Sequence, residues 1–357
     1  MSAKATSNGL EGIDVAATAI SDVDGERGRL VIAGLDVEQL AGSHTFETAA
    51  LRVLAAGGAT ATALALGAAR ARAWEMLPAL GGALDAADGM DALRASLAQL
   101  FASGDDLSDA VTAIGAAPVF VAAWSRRRAG NAPVAPDPAL GHAADYVRMT
   151  LGTAPSPEAA TALDHYLVTV IDHGMSASTF TTRVIASTAS DLISSVVGGV
   201  GALKGPLHGG APGPVLDMLD AIERPERAEP WLLDELAAGR RIMGMGHRVY
   251  RVRDPRAAVL ETAVRPLASR RLELARAVEV AASNILRTKK PDRPLAANVE
   301  FYTAVLLDAV GLPRQQFAPT FAVSRIAGWS AHVLEQRRTG RLIRPASTYV
   351  GAMPPVN

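Results

Sequence analysis

The sequence predicts a mostly α-helical protein with a short β-hairpin near its N-terminus. Aromatic residues make up only 4% of the 357 residues, alanine is frequent, and runs of β-branched residues are few, which favours helices over strands. Hydrophobic residues make up 49% and charged residues 20%, a composition that excludes an intrinsically disordered chain. The length is that of about two domains or one large one.

The charge balance and the lack of cysteine exclude several function classes. The 35 Lys and Arg residues nearly match the 36 Asp and Glu residues, which argues against nucleic acid or an acidic membrane as the main partner. Without cysteine there is no disulfide framework, thiolate metal site or cysteine nucleophile. The N-terminus lacks the apolar core of a secretory signal, and the apolar stretch from Ala113 to Trp124 is too short to span a bilayer. We therefore expect a cytoplasmic protein.

The first element is predicted to be the hairpin, and the later ones are helices. Val15–Ile20 and Arg29–Ala33 flank a segment with an Asp-Gly turn, the pattern of two paired strands. A helix is predicted over Thr45–Ala56, capped by Ser43 or Thr45 and ended by Gly57 and Gly58. Ala129–Pro138 carries three prolines and is predicted to be a loop.

The second half of the chain is predicted to be helical with one long interruption. Ser156-Pro157-Glu158 is a strong helix start, and the apolar spacing that follows predicts one buried face up to Gly174. The small residues of Ser178–Leu203 predict one closely packed helix, and Lys204–Pro214 breaks every period. Further helices are predicted near Val215, Pro230, Asp254-Pro255 and Arg270, and over Ala296–Val310 and Thr320–Thr339.

Four segments place polar residues and backbone breaks among apolar residues, where a buried titratable group has to be compensated or used. They are Asp172–Phe180, Lys204–Ala211, Ile242–Tyr250 with Asp254–Arg256, and Asn298–Tyr302. Each one alone has a plain structural explanation, since a single histidine at a helix end is usually a cap or a satisfied core residue. Gly244-Met-Gly246 lacks the third glycine and the strand of a dinucleotide site. Without an HExxH pattern we predict no metal site.

Taken together and in order, these segments resemble the citrate synthase family. The similarity extends over roughly residues 12–352 and is very specific from Lys204 to Tyr349. It is carried by the motifs HGMSASTFTTRVIAST, LKGPLHGGA, IMGMGHRVYRVRDPRA, NVEFY, SRIAGWSAHVLEQ and RLIRPASTYVG.

The resemblance implies a two-domain helical fold with the active site in the cleft between the domains. Residues 1–207 and 302–357 would form the large domain, and residues 208–301 the small domain. It also implies a homo-oligomer that is at least a dimer, in which Arg344 reaches the neighbouring chain's site.

The resemblance further implies the condensation of acetyl-CoA with oxaloacetate, followed by hydrolysis of the citryl thioester. His208 would stabilise the enol of the thioester, and His247 would donate to the keto oxygen of oxaloacetate. Glu300 stands where the family usually has the aspartate base that removes the methyl proton. No metal or prosthetic group is implied, and coenzyme A is a co-substrate.

The substrate-binding residues follow from the same motifs. Oxaloacetate carries two carboxylates, which guanidinium groups bind well. The residues that match those of the family that contact oxaloacetate are His173, Arg256, Arg325 and Arg344. The backbone that would contact the adenine of coenzyme A is that of Ile242, Met243, Gly244, Met245 and Gly246, and Arg251 matches a position that meets its phosphates.

Two questions stay open at this point. Glu300 is one methylene longer than aspartate, so it is either a working base or a structural acid in an altered enzyme. The alternatives to citrate synthase activity are a 2-methylcitrate synthase that uses propionyl-CoA and a non-catalytic sensor of acyl-CoA or dicarboxylates on the same fold. The choice between the two acyl groups depends on space for one methyl group, which is worth only ~1–3 kcal/mol.

Overall fold

The computed structural model describes residues 9–10, 12–208, 212–291 and 295–354. Over these residues the chain is mostly helical, as predicted, with one small antiparallel sheet. The strands are β1 Ser21–Asp24, β2 Arg29–Ile32 and β3 Leu35–Asp36. The helices are α1 Val37–Ser43, α2 Phe46–Gly57, α3 Ala63–Met76, α4 Gly89–Leu97, α5 Asp106–Arg128, α6 His142–Leu151, α7 Pro157–Thr169, α8 Ala177–Ser187, α9 Leu192–Leu203, α10 Pro212–Ile222, α11 Ala228–Ala237, α12 Pro255–Val264, α13 Arg270–Lys289, α14 Val299–Val310 and α15 Phe317–Thr339.

The hairpin exists, but the prediction of its first arm was wrong. The strand β1 lies inside the predicted loop, after Val15–Ile20, and pairs with β2. The reason is a short turn. The Oδ1 atom of Asp24 accepts a hydrogen bond from the Arg27 N–H at 3.0 Å, and Gly28 takes a left-handed φ of +65°. The turn therefore closes in four residues, and β2 also pairs with β3, a strand that the sequence did not predict.

Side-chain caps and left-handed glycines set several helix ends where the sequence placed them. Thr45 and Ser156 accept hydrogen bonds from the first turns of α2 and α7. Gly58 ends α2 with a φ of +104°, and Gly311 ends α14 with a φ of +89°. Ala129–Pro138 contains no helix or strand, as predicted.

Helix α7 ends at Thr169, five residues before the predicted stop at Gly174. The carbonyl oxygen of Val170 accepts a hydrogen bond from Arg325 Nε at 2.7 Å, and the carboxylate of Asp172 accepts one from the Gly174 N–H at 3.1 Å. Contacts with the distant helix α15 thus replace the last helical turn, and residues 170–176 form a loop.

The predicted single helix over Ser178–Leu203 is two helices, α8 and α9. Ala189 has a φ of +66°, and Asp191 caps α9 by accepting a hydrogen bond from the Ser194 N–H at 2.7 Å. The small residues allow the two helices to pack closely against each other. A Cβ atom on Gly199 would lie 2.6 Å from the hydroxyl oxygen of Thr182, so even alanine does not fit there without a shift.

Helix α5 forms the centre of the core, together with α15. Among the described residues, α5 alone is long and apolar enough to cross a membrane by length and composition, and 83% of its most apolar window is buried. It spans 23 residues, so the expectation from Ala113–Trp124 that this segment is too short was wrong. It packs against α3, α4, α6 and α15, so other helices surround it, as they surround a core helix.

The predicted small domain contributes α10 to α13, which bring the segments of the cleft together. Helix α12 packs against α14 and also against α1 and α7. Helix α15 packs against α2, α5, α8 and α9. The loop after α7, residues 170–176, lies between the helices that contact α12 and those that contact α15. The boundaries at 208 and 301 stay a prediction.

Candidate active site

The loop before α12 is fixed to the start of α14 by backbone hydrogen bonds. Gly246 donates to the Ala296 carbonyl at 2.7 Å, and Asn298 donates to the Gly244 carbonyl at 2.9 Å. The side-chain amide of Asn298 also donates to the Gly246 carbonyl at 2.8 Å. This pairing makes α14 begin three residues later than predicted and places Glu300, in its first turn, beside the loop that carries His247.

Two glycines allow this pairing. Gly244 and Gly246 have φ values of +72° and +90°, which other residues rarely adopt. A Cβ atom on Gly244 would lie 2.8 Å from the ring of Phe301. The glycines of the motif therefore set the backbone path, whatever else they contact.

His247 is held in one tautomer by its own loop. Its Nδ1 atom accepts hydrogen bonds from the N–H groups of Val249 at 3.0 Å and Tyr250 at 3.1 Å. A ring nitrogen that accepts carries no proton, so the proton is assigned to Nε2. Burial lowers the pKa of His247 to about 4, and the positive charge of Arg256 adds to the effect. At neutral pH this ring is therefore an uncharged donor.

His208 has the opposite tautomer. Its Nε2 atom accepts a hydrogen bond from the Ser178 N–H at 3.3 Å and lies 2.7 Å from the Ser178 hydroxyl. The ring proton is therefore assigned to Nδ1. Burial lowers the pKa of His208 to about 4, with a further contribution from Arg325. The indole N–H of Trp329 donates to the same hydroxyl at 3.3 Å, which leaves the hydroxyl proton free to donate to His208.

A third histidine joins the cluster from the loop after α7. The Nε2 atom of His173 lies 3.1 Å from the Tyr250 hydroxyl, and its ring centroid lies 5.4 Å from that of His247. Burial holds the pKa of His173 well below its usual value. The nearby side chains of Arg256, His247, Arg325 and His208 add to this effect. The three histidines and the two arginines therefore lie close enough to affect one another's charge, and they form one cluster.

The two arginines have unequal partners. Arg256 is 2% exposed and donates from Nε and Nη2 to the two carboxylate oxygens of Asp254, at 3.0 and 2.7 Å. Arg325 is 1% exposed, its Nε donates to the Val170 carbonyl, and its buried Nη2 has no hydrogen-bond partner. Burial lowers the pKa of Arg325 to about 10, so it stays charged at neutral pH. A buried, unpaired guanidinium nitrogen requires an acceptor.

Glu300 has the properties of a carboxyl group that can take up a proton near neutral pH. Burial raises its pKa to about 7, the charge of Arg256 lowers it, and that of Asp254 raises it. Its backbone N–H donates to the Asn298 side chain at 3.0 Å. A general base is most effective when its pKa lies near the working pH.

Two predicted site residues lie outside this cluster. Arg344 is exposed on the C-terminal segment, in a groove with the N-terminal residues 15–17 and Phe180. Arg251 is half exposed, 3.9 Å from Glu26 at the tip of the hairpin. Ile242 is buried. Among the described residues no group of three or more histidine and acidic side chains is placed to hold a metal ion.

The comparisons with known proteins identify the family. The family model described as citrate synthase, C-terminal domain, matches residues 9–346.

The chain belongs to the citrate synthase family.

This confirms the resemblance found in the motifs. Citrate synthase of Deinococcus radiodurans is 35% identical over 363 residues, which is 96% of this chain and 95% of the relative. The 2-methylcitrate synthase of Mycobacterium tuberculosis is also 35% identical, over 96% of this chain and 90% of the relative. A protein of the same organism named putative citrate synthase 2 is 50% identical over 200 residues, 56% of this chain. That match spans 54% of the relative's length, about half.

Solved citrate synthases have the same fold. The enzyme from Thermotoga maritima aligns with a TM-score of 0.84 and 33% identity, over 97% of this chain and 96% of that one. The enzyme from Thermoplasma acidophilum, solved as a ternary complex with carboxymethyl coenzyme A and oxaloacetate, aligns with a TM-score of 0.86 and 26% identity. That alignment covers 98% of this chain and 97% of the other. The predicted fold class is thereby confirmed.

Several residues of the cleft did not stand out in the sequence. Ser178, which contacts His208, lies 30 residues before it. Tyr250 and Asp254 lie inside the motif IMGMGHRVYRVRDPRA. The Asp-Pro pair at the start of α12 was a signal for Asp254. His332, the partner of Asp172 in α15, lies inside the motif SRIAGWSAHVLEQ, but no local pattern pairs it with Asp172.

We predict that ¹⁵N NMR of histidine-labelled protein finds both rings neutral at pH 6, with the proton on Nε2 in His247 and on Nδ1 in His208. Because burial sets both pKa values at about 4, both signals should begin to change only as the pH falls below about 5. Ser178→Ala should alter the His208 signals and leave those of His247 unchanged. Charged rings at pH 6, or the opposite tautomers, would contradict the assignment.

Proposed function

We propose that this protein condenses acetyl-CoA with oxaloacetate and then hydrolyses the thioester, giving citrate and free CoA. The observation that carries the proposal is the cluster of side chains itself. Two neutral imidazoles with assigned ring protons, a carboxyl group with a pKa near 7 and a buried guanidinium without a partner occur together there. This set matches the requirements of an aldol-type condensation of a thioester.

The first step is removal of a proton from the acetyl methyl group. In its ionised form Glu300 takes that proton, and the electron pair moves onto the thioester oxygen. His208 donates from Nδ1 to this oxygen and stabilises the enol. A neutral imidazole suits this step because its N–H stabilises the negative charge that develops on the thioester oxygen. No charged imidazolium has to be buried.

The second step forms the carbon–carbon bond. The enol carbon attacks the keto carbon of oxaloacetate, and the ketone π electrons move to its oxygen. His247 donates from Nε2 to that oxygen as its charge develops. The oxygen ends as the citryl hydroxyl with one added proton, which balances the methyl proton that Glu300 releases to return to its ionised form. Water then attacks the citryl thioester, the carbon–sulfur bond breaks, and the thiol of CoA leaves with a proton.

The dianion is bound by the positive end of the cleft. Arg325 offers its unpaired Nη2 to one carboxylate, and Arg256, oriented by Asp254, offers its remaining N–H groups to the other. His173 completes this end through its ring nitrogen. The relative from Thermoplasma acidophilum, whose structure contains oxaloacetate, supports this assignment.

Coenzyme A would bind along residues 242–246, with its phosphates near Arg251. The exposure of Arg251 and the glycine conformations of this segment support the placement. Carboxymethyl coenzyme A in the same relative supports CoA as the co-substrate. The proposal involves no metal ion and no prosthetic group.

A homodimer completes the site. We place Arg344 in the cleft of the neighbouring chain, because the residue is exposed and lies on an extended C-terminal segment. In that position a third guanidinium would face the substrate carboxylates.

Propionyl-CoA is the second candidate substrate, because the 2-methylcitrate synthase relative is as similar as the citrate synthase relative, at 35% identity each. Release of free thiol from each acyl-CoA in the presence of oxaloacetate decides between the two substrates. We expect kcat/KM to be higher for acetyl-CoA, by roughly 10- to 100-fold if one methylene has to be excluded. A higher value for propionyl-CoA would assign the second activity, and no thiol release from either would contradict the proposal.

The base is tested by pH and by substitution. Only ionised Glu300 can take a proton, so kcat/KM should fall about tenfold for each pH unit below its pKa of about 7. Glu300→Gln should lower turnover by roughly 10²-fold or more, and Glu300→Asp by about tenfold because the shorter carboxylate is misplaced.

The matched control for these variants is Glu273→Gln, an exposed acid in the first turn of α13. It should leave the rate and its pH dependence unchanged. If Glu300→Gln keeps the wild-type rate, another group is the base. If Glu300→Asp is faster than the wild type, the site is not built around glutamate.

The shared site is tested by mixing two inactive variants. In a mixed dimer of Arg344→Ala and His208→Ala chains, one site contains both intact residues. Refolding the two chains together should therefore restore activity, up to about a quarter of that of the wild type by counting random dimers. Mass spectrometry checks that mixed dimers form, and no recovery in their presence would contradict a shared site.

A further inference from the structure

A buried polar chain runs from α15 to the loop that carries His173. Asp172 is fully buried, and one of its carboxylate oxygens lies 3.2 Å from Nε2 of His332 in α15. The other oxygen accepts hydrogen bonds from the Gly174 N–H at 3.1 Å and from the Ser21 hydroxyl. The carboxylate thus holds the residues on both sides of His173.

The tautomer of His332 is assigned by its other neighbour. Arg183 Nη1 lies 3.0 Å from Nδ1 of His332, and an arginine can only donate. The ring proton of His332 is therefore on Nε2, the nitrogen that lies 3.2 Å from the Asp172 carboxylate but outside hydrogen-bonding geometry. Arg183 is itself buried and paired with Glu335 at 2.6 Å.

Helix α15 also touches the loop directly. A Cβ atom on Gly328 would lie 2.3 Å from the carbonyl oxygen of Ile171 and 2.6 Å from a carboxylate oxygen of Asp172. One turn from Gly328, Arg325 donates to the Val170 carbonyl at 2.7 Å. The same stretch of α15 therefore contacts the loop at Val170, Ile171 and Asp172, and carries one of the two buried arginines.

We propose that His332 and Asp172 are positioning residues, which hold His173 and Arg325 in register at the oxaloacetate end of the cleft. The essential contact is the close approach of His332 Nε2 to the buried Asp172 carboxylate, at 3.2 Å. Neither residue has to touch the substrate, because Asp172 acts through the backbone of the loop. The identity of the substrate, oxaloacetate, rests on the proposed function. The contacts of His332 and Asp172 rest on the geometry alone.

Two substitutions of His332 separate its two nitrogens. Glutamine places an amide nitrogen near the position of Nε2, so an N–H group stays close to the Asp172 carboxylate. Asparagine places its oxygen near the position of Nδ1, so it can still accept from Arg183 and loses the contact with Asp172. Both variants bury an amide of similar polarity, and they differ mainly in which contact remains.

We expect His332→Asn to raise the KM for oxaloacetate by about tenfold, the size of effect expected for a lost polar contact with a buried charged group. The KM for acetyl-CoA and kcat should change by less than about twofold. His332→Gln should keep the KM for oxaloacetate within about threefold of that of the wild type. Equal KM values for oxaloacetate in the Asn and Gln variants would overturn the proposal. A parallel rise in the KM values for oxaloacetate and acetyl-CoA in His332→Asn would also overturn it.

The control for a general loss of stability is His142→Asn, since His142 is fully buried in α6 and both its ring nitrogens lack hydrogen-bond partners. It should lower the melting temperature without changing the KM for oxaloacetate. If His332→Asn does not fold, Ser21→Ala removes another donor to Asp172 from a partly exposed position. It should raise the same KM by a few fold, and an unchanged KM would overturn the proposal.

A readout without turnover separates this proposal from the proposed function. In histidine-labelled protein, ¹⁵N NMR should place the proton of His332 on Nε2, and the His173 signals should shift in the Asn variant and in Ser21→Ala, but not in the Gln variant. If the wild type neither binds nor converts oxaloacetate, the proposed function fails, and these signals still decide the positioning role. Unchanged His173 signals in all variants would overturn the positioning role.

Discussion

Two guanidinium groups buried in one cluster set the chemistry of the side chains around them. Arg256 and Arg325 are almost inaccessible to solvent, at 2% and 1% exposure, and each retains its charge. Their positive potential, added to burial, keeps the neighbouring histidines neutral. Neutral rings with fixed tautomers can donate hydrogen bonds without carrying a charge that repels the arginines. The same potential favours a small dianion over a neutral ligand.

The fold holds these charges in place through contacts between distant segments. The bonds from residues 244–246 to residues 296–298 bring His247 and Glu300 together. The early end of α7 frees the Val170 carbonyl for Arg325, and Asp254 orients Arg256. Because each of these contacts joins segments separated in sequence, a change in how the helices pack would alter the site even with every reacting residue present.

The sequence predicted the residues of the site better than the contacts that hold them. His208, His247, Arg256, Arg325 and Glu300 lie in contiguous motifs, so a resemblance could locate them one by one. Ser178, Asp172 and His332 act through partners that lie 30 to about 160 residues away, and no local pattern reports such pairs. The end of α7 and the break before α9 were missed for the same reason, since tertiary hydrogen bonds outweighed local helix propensity. Arg344 and Arg251 are named by the motifs, and the single chain leaves both outside the cluster.

The most direct test of the central claim is exchange of the methyl protons of acetyl-CoA with solvent deuterium, with an unreactive oxaloacetate analogue bound. The exchange reports proton removal without carbon–carbon bond formation. We expect the wild-type protein to exchange these protons without releasing CoA, and Glu300→Gln to lose the exchange. Exchange at the wild-type rate in Glu300→Gln would contradict this account, as would a wild-type protein that releases CoA from acetyl-CoA and oxaloacetate yet leaves the methyl protons in place.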